Sequence, residues 1–376
     1  MQGKIISFLL GVLCWAVIGR AQSAPGFAGV DDWLQQNAKS MGGRVVLVVY
    51  KDGKVAYSQS VNEMSRRQKM VNNYIARRQG RAADSEDYSL TTRQPIASCS
   101  KWLSAALVMT FVDEGRLDLS DTVGKYLPVL SQHGKGGITV RQCLSHLTGI
   151  KEPPLKESLK EMKNIGSMDD AIAAIAEMPV EGAPGTVFRY SNAGLQIAGA
   201  ILEKISGKSF ETLFAERIAR PLGLQDTDFG KGRVALPAGG ASSTPEDYMR
   251  FLVMILDKGV YRGVRVLSEK SVAEMQVNRI GSDVTIGYTP AGVPGVGYGY
   301  GEWVMGIGAG ERKDGAGAAA GAGGRFVSSP GLFGSFPWVD NERGYCAFLM
   351  TFYVNGDKGK QERYIELKQK VDAALR

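Results

Sequence analysis

Two apolar β-type segments lie near opposite ends of this chain with a long stretch of helical pattern between them, and no other feature constrains the fold as strongly. Near the start, Arg44 to Tyr50, then Lys51-Asp52-Gly53-Lys54, then Val55 to Ser58 reads as a β-hairpin closed by an Asp-Gly turn. Near the end, Gly344 to Tyr353 is a second strongly apolar strand. Asp357 to Arg376 then alternates charged and apolar residues at helical spacing. Between them, helical patterns run over Trp102 to Val112, Met168 to Met178, Ala193 to Ile205, Phe210 to Ile218 and Glu246 to Leu256. The arrangement predicts a sheet built from both ends of the chain, with a helical region inserted between them. Periodicity by itself supports mixed α and β.

The length of 376 residues suits one large two-lobed domain or two ordinary ones. Met1 to Ala21 reads as a secretory leader: Lys4, the apolar run Ile5 to Ile18, then Gly19-Arg20-Ala21 at the expected cleavage point. The apolar run is short for a membrane span, and nothing later in the chain approaches one. Export to the periplasm or beyond is therefore expected. Without Lys4 and Arg20 the 45 basic groups fall to 43 against 38 acids, so the surplus of +7 falls to +5. The densest basic stretch, Arg66 through Arg81, is followed at once by Asp84, Glu86 and Asp87 and reads as a solvated loop or helix face, so no nucleic-acid partner is expected. The charged segment Asn62 to Tyr88 reads as surface decoration that could form part of a cleft rim.

Two histidines and four cysteines, with no C-x-x-C or H-x-x-x-H spacing, leave no ligand set for a zinc site, and no cofactor is implied. Cys143 and Cys346 sit in apolar strings and read as small buried hydrophobes, and no disulfide is expected. Gly308 to Gly324 is a glycine- and alanine-rich loop. Ser206-Gly207-Lys208-Ser209 resembles the end of a phosphate loop, but Leu202 stands where its first glycine must be. There is no G-x-G-x-x-G and no G-x-S-x-G elbow.

What remains is Ser98-Cys99-Ser100-Lys101, the only S-x-x-K, opening the apolar helix Trp102 to Val112. Ser98 at a helix N-terminus has N–H groups and the macrodipole to favour developing negative charge. Lys101 lies one turn on, on the same face. In an apolar wall its ammonium loses hydration and its pKa falls, so it can accept the serine proton. Cys99 as nucleophile is disfavoured, because it points about 100° away around the helix. A second element, Tyr190-Ser191-Asn192, can project a proton-shuttling phenol and a positioning amide into one cleft. Tyr353-Val354-Asn355 repeats that pattern but reads as a strand edge.

In this order and separation, Ser98-x-x-Lys101 and Tyr190-x-Asn192 resemble the serine β-lactamase and penicillin-binding-protein superfamily. The nearest branch is that of class C β-lactamases, DD-peptidases and related esterases. Ile138 through Gly149, Arg220 through Thr227, and Ala238-Gly239-Gly240 through Asp247 resemble further stretches of the same family. The resemblance implies an α/β fold of the α+β type with an antiparallel sheet flanked by helices. It also implies a single catalytic domain over 22–376, with 22–97 and 258–376 as sheet lobe and 98–257 as helical lobe. His146 is implied to be structural, at a helix end. The family's third motif, Lys-Thr-Gly or His-x-Gly, falls by position at Ser329-Pro330-Gly331, followed by Leu332. Gly331 is kept, but the basic residue that helps hold a substrate carboxylate is not. Arg325 or a lysine elsewhere would have to supply that cation. By match, the oxyanion hole takes the backbone N–H groups of Ser98 and Leu332.

The expected function is thus an exported serine hydrolase working through an acyl-enzyme. Ser98 is the nucleophile, and Lys101 and Tyr190 share the proton transfers. Asn192, Ser329 and Gly331 position a small ester, amide or β-lactam substrate. Esterase-like action is favoured by the missing cation. A β-lactamase or DD-peptidase acting on β-lactams or peptidoglycan fragments is the alternative enzyme. A penicillin-binding or sensing protein that acylates without turnover is the alternative outside enzymes.

Overall fold

The computed structural model describes residues 26–78, 84–154, 157, 165–230, 232–290, 297–306, 326–353 and 359–376. The expected leader, the Gly308 to Gly324 loop, Arg325 and Asn355 lie outside them.

Seven strands form one antiparallel sheet: β1 (Arg44–Lys51), β2 (Lys54–Asn62), β3 (Gly297–Tyr298), β4 (Trp303–Met305), β5 (Phe326–Ser328), β6 (Phe336–Asp340) and β7 (Tyr345–Thr351). Their order is β2-β1-β7-β6-β5-β4-β3, so the first hairpin joins the sheet along the last strand. Val46 pairs with Met350 and Val48 with Phe348. The hairpin turn has Asp52 at φ 51° and Gly53 at φ 78°. Both central residues being left-handed makes this the type I′ geometry whose twist matches the flanking strands.

Alternation along β1 explains why the sheet needs helices on both faces. Val45, Leu47 and Val49 pack with Trp33, Trp338, Leu367 and Val371 in one core. Val46 and Val48 pack with Trp102, Tyr248 and Phe348 in the other. On the first face lie α1 (Ala28–Ala38) and the closing helix α5 (Lys360–Ala374). On the second lie α2 (Ser100–Asp113), α3 (Ala193–Ser206) and α4 (Pro245–Leu256), the helices of the inserted region that frame the site. Each strand residue removed from water contributes about 1.5–3 kcal/mol if it is a Val, Leu or Phe, so exposing either face would be ruinous. α2 is buried from Ser100 through Phe111, the pattern of a helix enclosed on all sides. The buried Lys368 ammonium fixes α5 against the sheet, at 2.8 Å from Asp340 and 2.7 Å from Asp372.

Several expected boundaries move. The hairpin's second strand runs on to Asn62, and the last strand spans only Tyr345–Thr351. The pattern from Phe210 breaks into the helix Phe210–Phe214 and a wider turn over Ala215–Ala219. The basic insertion carries an exposed helix, Arg66–Arg78. Cys99, Cys143 and Cys346 are free, buried thiols. Among the described residues, no helix is long and apolar enough to cross a membrane.

Candidate active site

Ser98 sits in a single tight turn, Ala97–Cys99, that runs directly into α2. Ala97 before it has φ 46°, a left-handed conformation that costs an alanine about 1–2 kcal/mol. Neighbouring segments hold that turn in place. Ile96 N–H donates to the Ala241 carbonyl at 3.0 Å. Ala241 N–H donates to Ser100 Oγ at 3.0 Å, and the Tyr248 hydroxyl donates to the Cys99 carbonyl at 2.8 Å. The strained turn leaves Ser98 half-buried while its neighbours Cys99 and Ser100 are fully enclosed.

One turn on, Lys101 is completely buried. Its Nζ lies 2.8 Å from the Ala238 carbonyl, 3.1 Å from Asn192 Oδ1 and 3.3 Å from Ser98 Oγ. A neutral amine has two N–H donors and one lone pair. Two acceptors, Ala238 O and Asn192 Oδ1, match the donors, and the Ser98 hydroxyl matches the lone pair. Burial is the main force on this group and lowers its pKa to about 7; the Glu152 carboxylate opposes the shift.

Tyr190 follows the short strand Val187–Arg189 and hydrogen-bonds Ser98 through its hydroxyl. Its ring stacks on Trp303 at 5.2 Å between centroids and lies 4.8 Å from Lys101 Nζ. Burial pushes its pKa up, so the phenol stays protonated; the Ser98 hydrogen bond works the other way. His146, one residue beyond the cap of the helix Val140–Leu144, is buried beneath this tyrosine with ring centroids 4.6 Å apart. Its Nε2 is 3.0 Å from the Tyr298 hydroxyl, and its Nδ1 accepts from Ser191 N–H at 3.4 Å. Burial drives its pKa down, so it is a neutral prop rather than a base.

Asn192 occupies the N-cap position of α3, where an asparagine side chain ordinarily accepts from the helix's free N–H groups. This one makes no such bond. Its Oδ1 faces Lys101, while Glu152 takes its backbone N–H at 2.5 Å and Nδ2 at 3.3 Å. Glu152 is the residue that sequence reasoning missed, since it stands in a loop and belongs to no motif.

The third-motif segment closes the site from the sheet side. Ser329 Oγ is 3.1 Å from the Ser98 carbonyl and 3.0 Å from the Gly301 carbonyl, so its hydroxyl faces protein backbone. Gly331 lies so close to the Ser98 turn that a Cβ there would collide with the Ile96 carbonyl and crowd Cys99 Sγ. Leu332 is 49% exposed, as are Ile286 and Tyr288 at 50% and 51%. Tyr288 adjoins the site through its carbonyl, which accepts from Tyr190 N–H at 3.0 Å. Cys99 points its thiol at the Ser335 carbonyl, 3.8 Å away in the core, and burial raises its pKa. Among the described residues, no group of His, Cys, Asp and Glu could hold a metal ion.

The family model described as Beta-lactamase matches residues 30–372. The chain is 27% identical over 259 residues to the Mycobacterium tuberculosis protein MT1414, covering 55% of this chain and 64% of that protein, just under two thirds of the relative's length. It is 29% identical over 144 residues to Staphylococcus aureus protein flp, covering 38% of this chain and 29% of flp. A candidate beta-lactamase from Bacteroides dorei superposes with TM-score 0.72 and 26% identity over 93% of this chain and 98% of that one. EstCE1, a hydrolase with promiscuous acyltransferase activity, superposes with TM-score 0.70 over 93% of this chain and 99% of that one. At 18% identity that likeness bears on the fold alone.

Proposed function

The chain belongs to the Beta-lactamase family, and from that premise we propose that it is an exported serine hydrolase that cleaves esters with an apolar acyl or alcohol part through an acyl-enzyme on Ser98. The observation that carries this reading is the buried Lys101, with Nζ 3.3 Å from Ser98 Oγ and a pKa lowered to about 7. A lysine with that environment is half neutral at physiological pH and can act as a base.

In the proposed cycle, neutral Lys101 takes the Ser98 proton as Oγ attacks the ester carbonyl. The backbone N–H groups of Ser98 and Leu332 receive the oxyanion. Tyr190, still protonated, gives its proton to the departing alkoxide and regains one from the Lys101 ammonium, so no net proton is gained or lost. Water then reverses the sequence to release the acid. Asn192 keeps Lys101 aimed and the substrate aligned.

Ester preference over β-lactams is supported by the third motif. Pro330 has no N–H, the Ser329 hydroxyl is engaged with backbone carbonyls, and neither supplies a cation for a substrate carboxylate. Exposed Leu332, and exposed Tyr288 whose backbone bonds Tyr190, favour apolar groups instead. Export is proposed on the leader, Met1 to Ala21.

The test is hydrolysis of a short-chain chromogenic ester and a chromogenic cephalosporin side by side, in the parent and Ser98→Ala. Ester turnover abolished by Ser98→Ala, with little cephalosporin turnover, is the expected result. Dominant cephalosporin turnover would move the protein to the β-lactamase side. A covalent adduct that accumulates without product would make it a sensor.

A further inference from the structure

Lys360 is the first residue of α5, and its placement is electrostatically poor. A cation at a helix N-terminus meets the positive end of the macrodipole. Burial also strips its hydration and lowers its pKa to about 8. Among the described residues it has no carboxylate partner. Among the described residues, the titratable groups that face it are the Cys99 thiol and the Tyr353 and Tyr364 rings, with centroids at 5.6 and 5.8 Å. Burial raises the pKa of all three, so they stay neutral. A methionine would fill the same space without that cost.

The ammonium is held by two backbone carbonyls, Gly331 O at 2.9 Å and Leu332 O at 3.0 Å. The Gly331 carbonyl and the Leu332 N–H belong to one planar trans peptide, in which C=O and N–H point in opposite directions. Lys360 grips the carbonyl end of the very peptide whose N–H end faces away from it. A cation on the oxygen fixes the plane and draws electron density from nitrogen, making the N–H a stronger donor. Gly331 is packed against the Ser98 turn, so this peptide cannot swing away without losing that contact.

We propose that Lys360 is a positioning residue of the oxyanion hole, orienting and polarising the Gly331–Leu332 peptide so that the Leu332 N–H stabilises the charge that develops on the substrate carbonyl oxygen. This rests on the reading of Ser98 as nucleophile and of Leu332 N–H as an oxyanion donor. It assigns Lys360 to the reacting carbonyl, because two of its three N–H donors are committed to the backbone carbonyls of Gly331 and Leu332, and a substrate carboxylate on the third is an outcome of the test.

The full chain and its Lys360→Met, Lys360→Gln and Lys360→Arg variants would be compared in two assays. The first is the rate at which a fluorophosphonate probe labels Ser98, and the second is kcat and KM on a neutral chromogenic ester across pH. Removing an oxyanion donor outright costs about 10²–10³-fold, so losing its polarising partner is expected to cost about tenfold. Lys360→Met and Lys360→Gln should therefore lower the labelling rate and kcat about tenfold, with KM within twofold. The parent kcat should fall as pH rises through about 8, where the ammonium is lost. Lys360→Arg should recover most of the rate and remove that fall, since arginine keeps its charge.

Unchanged labelling in both Lys360→Met and Lys360→Gln would overturn the inference while leaving the hydrolase reading intact. So would equal impairment of all three variants with the parent's pH profile, or an effect confined to KM on carboxylate-bearing substrates. A parent that the probe does not label at Ser98 would instead sink the hydrolase reading, and this inference with it.

Discussion

Glu152 holds both nitrogens of Asn192, the backbone amide at 2.5 Å and the side-chain amide at 3.3 Å, which turns the Asn192 carbonyl oxygen to Lys101 Nζ 3.1 Å away. A carboxylate accepts and does not donate, so it selects the NH2 end of the amide and leaves the oxygen for the lysine. The same negative charge raises the lysine pKa against the larger effect of burial.

Replacing Glu152 by Gln should therefore lower the Lys101 pKa further. The acid limb of kcat/KM is expected to move to lower pH, with kcat reduced about three- to tenfold as Asn192 loosens. A pH–rate profile on a neutral ester reads both effects. An acid limb that stays in place would show that Glu152 does not act on Lys101.

The parent's kcat/KM should rise through a limb near pH 7, where Lys101 becomes neutral. Lys101→Met is expected to lose about 10²–10⁴-fold in rate yet gain stability. The sign follows from linkage. The folded pKa of about 7 lies below the unfolded value near 10.4, so between the two the unfolded chain binds more protons and stability rises with pH. The penalty is full below about pH 7. The Tm gain of Lys101→Met should be largest near pH 6 and shrink toward pH 10, as thermal unfolding at several pH values would show.

Tyr190→Phe removes a hydroxyl that burial keeps protonated. As a proton donor to the leaving group it should contribute about 10²-fold or more to kcat, while the acid limb near pH 7 persists because Lys101 supplies it. Loss of that limb in Tyr190→Phe would make the tyrosine the base. Comparing esters with good and poor leaving groups sharpens the reading, since a good leaving group needs the donor less.

Glu302 is fully buried in the turn before β4, its carboxyl oxygens lack a hydrogen-bond partner among the described residues, and burial pushes its carboxyl pKa well above the usual range. With a raised folded pKa, the protein holds a proton that the unfolded chain releases above about pH 4.3, so stability falls as pH rises from there. Glu302→Gln removes the titration. It should stabilise the fold by about 1–3 kcal/mol near pH 8, with the gain vanishing toward pH 4. An equal change at both pH values would assign the effect to packing.

Much of the site was legible because its chemistry is local. Ser98 and Lys101 are one helical turn apart, and an apolar helix around a lysine already implies a lowered pKa. Tyr190 and Asn192 share one strand-to-helix corner. Glu152 escaped notice because its partner Asn192 is 40 residues away and its loop carries no periodicity. Lys360 escaped for the same reason: it reads as one more charge on an amphipathic helix until α5 is docked.

The sequence by itself determined the alternation that buries both faces of β1, the left-handed Asp52-Gly53 turn, the enclosed helix after Ser98 and the order of the chemical motifs. These are set by side-chain pattern and backbone allowance within a few residues. Only the tertiary structure decided that a strained Ala97 is held by Ala241 and Tyr248, that Glu152 orients Asn192, and that the cation beside the third motif comes from the last helix. Those contacts join residues 28 to 149 apart in the chain, from Lys360 with Leu332 to Tyr248 with Cys99. Their energy comes from burial and shared hydrogen bonds that exist only once the sheet has closed along β1 and β7, and no local pattern encodes them.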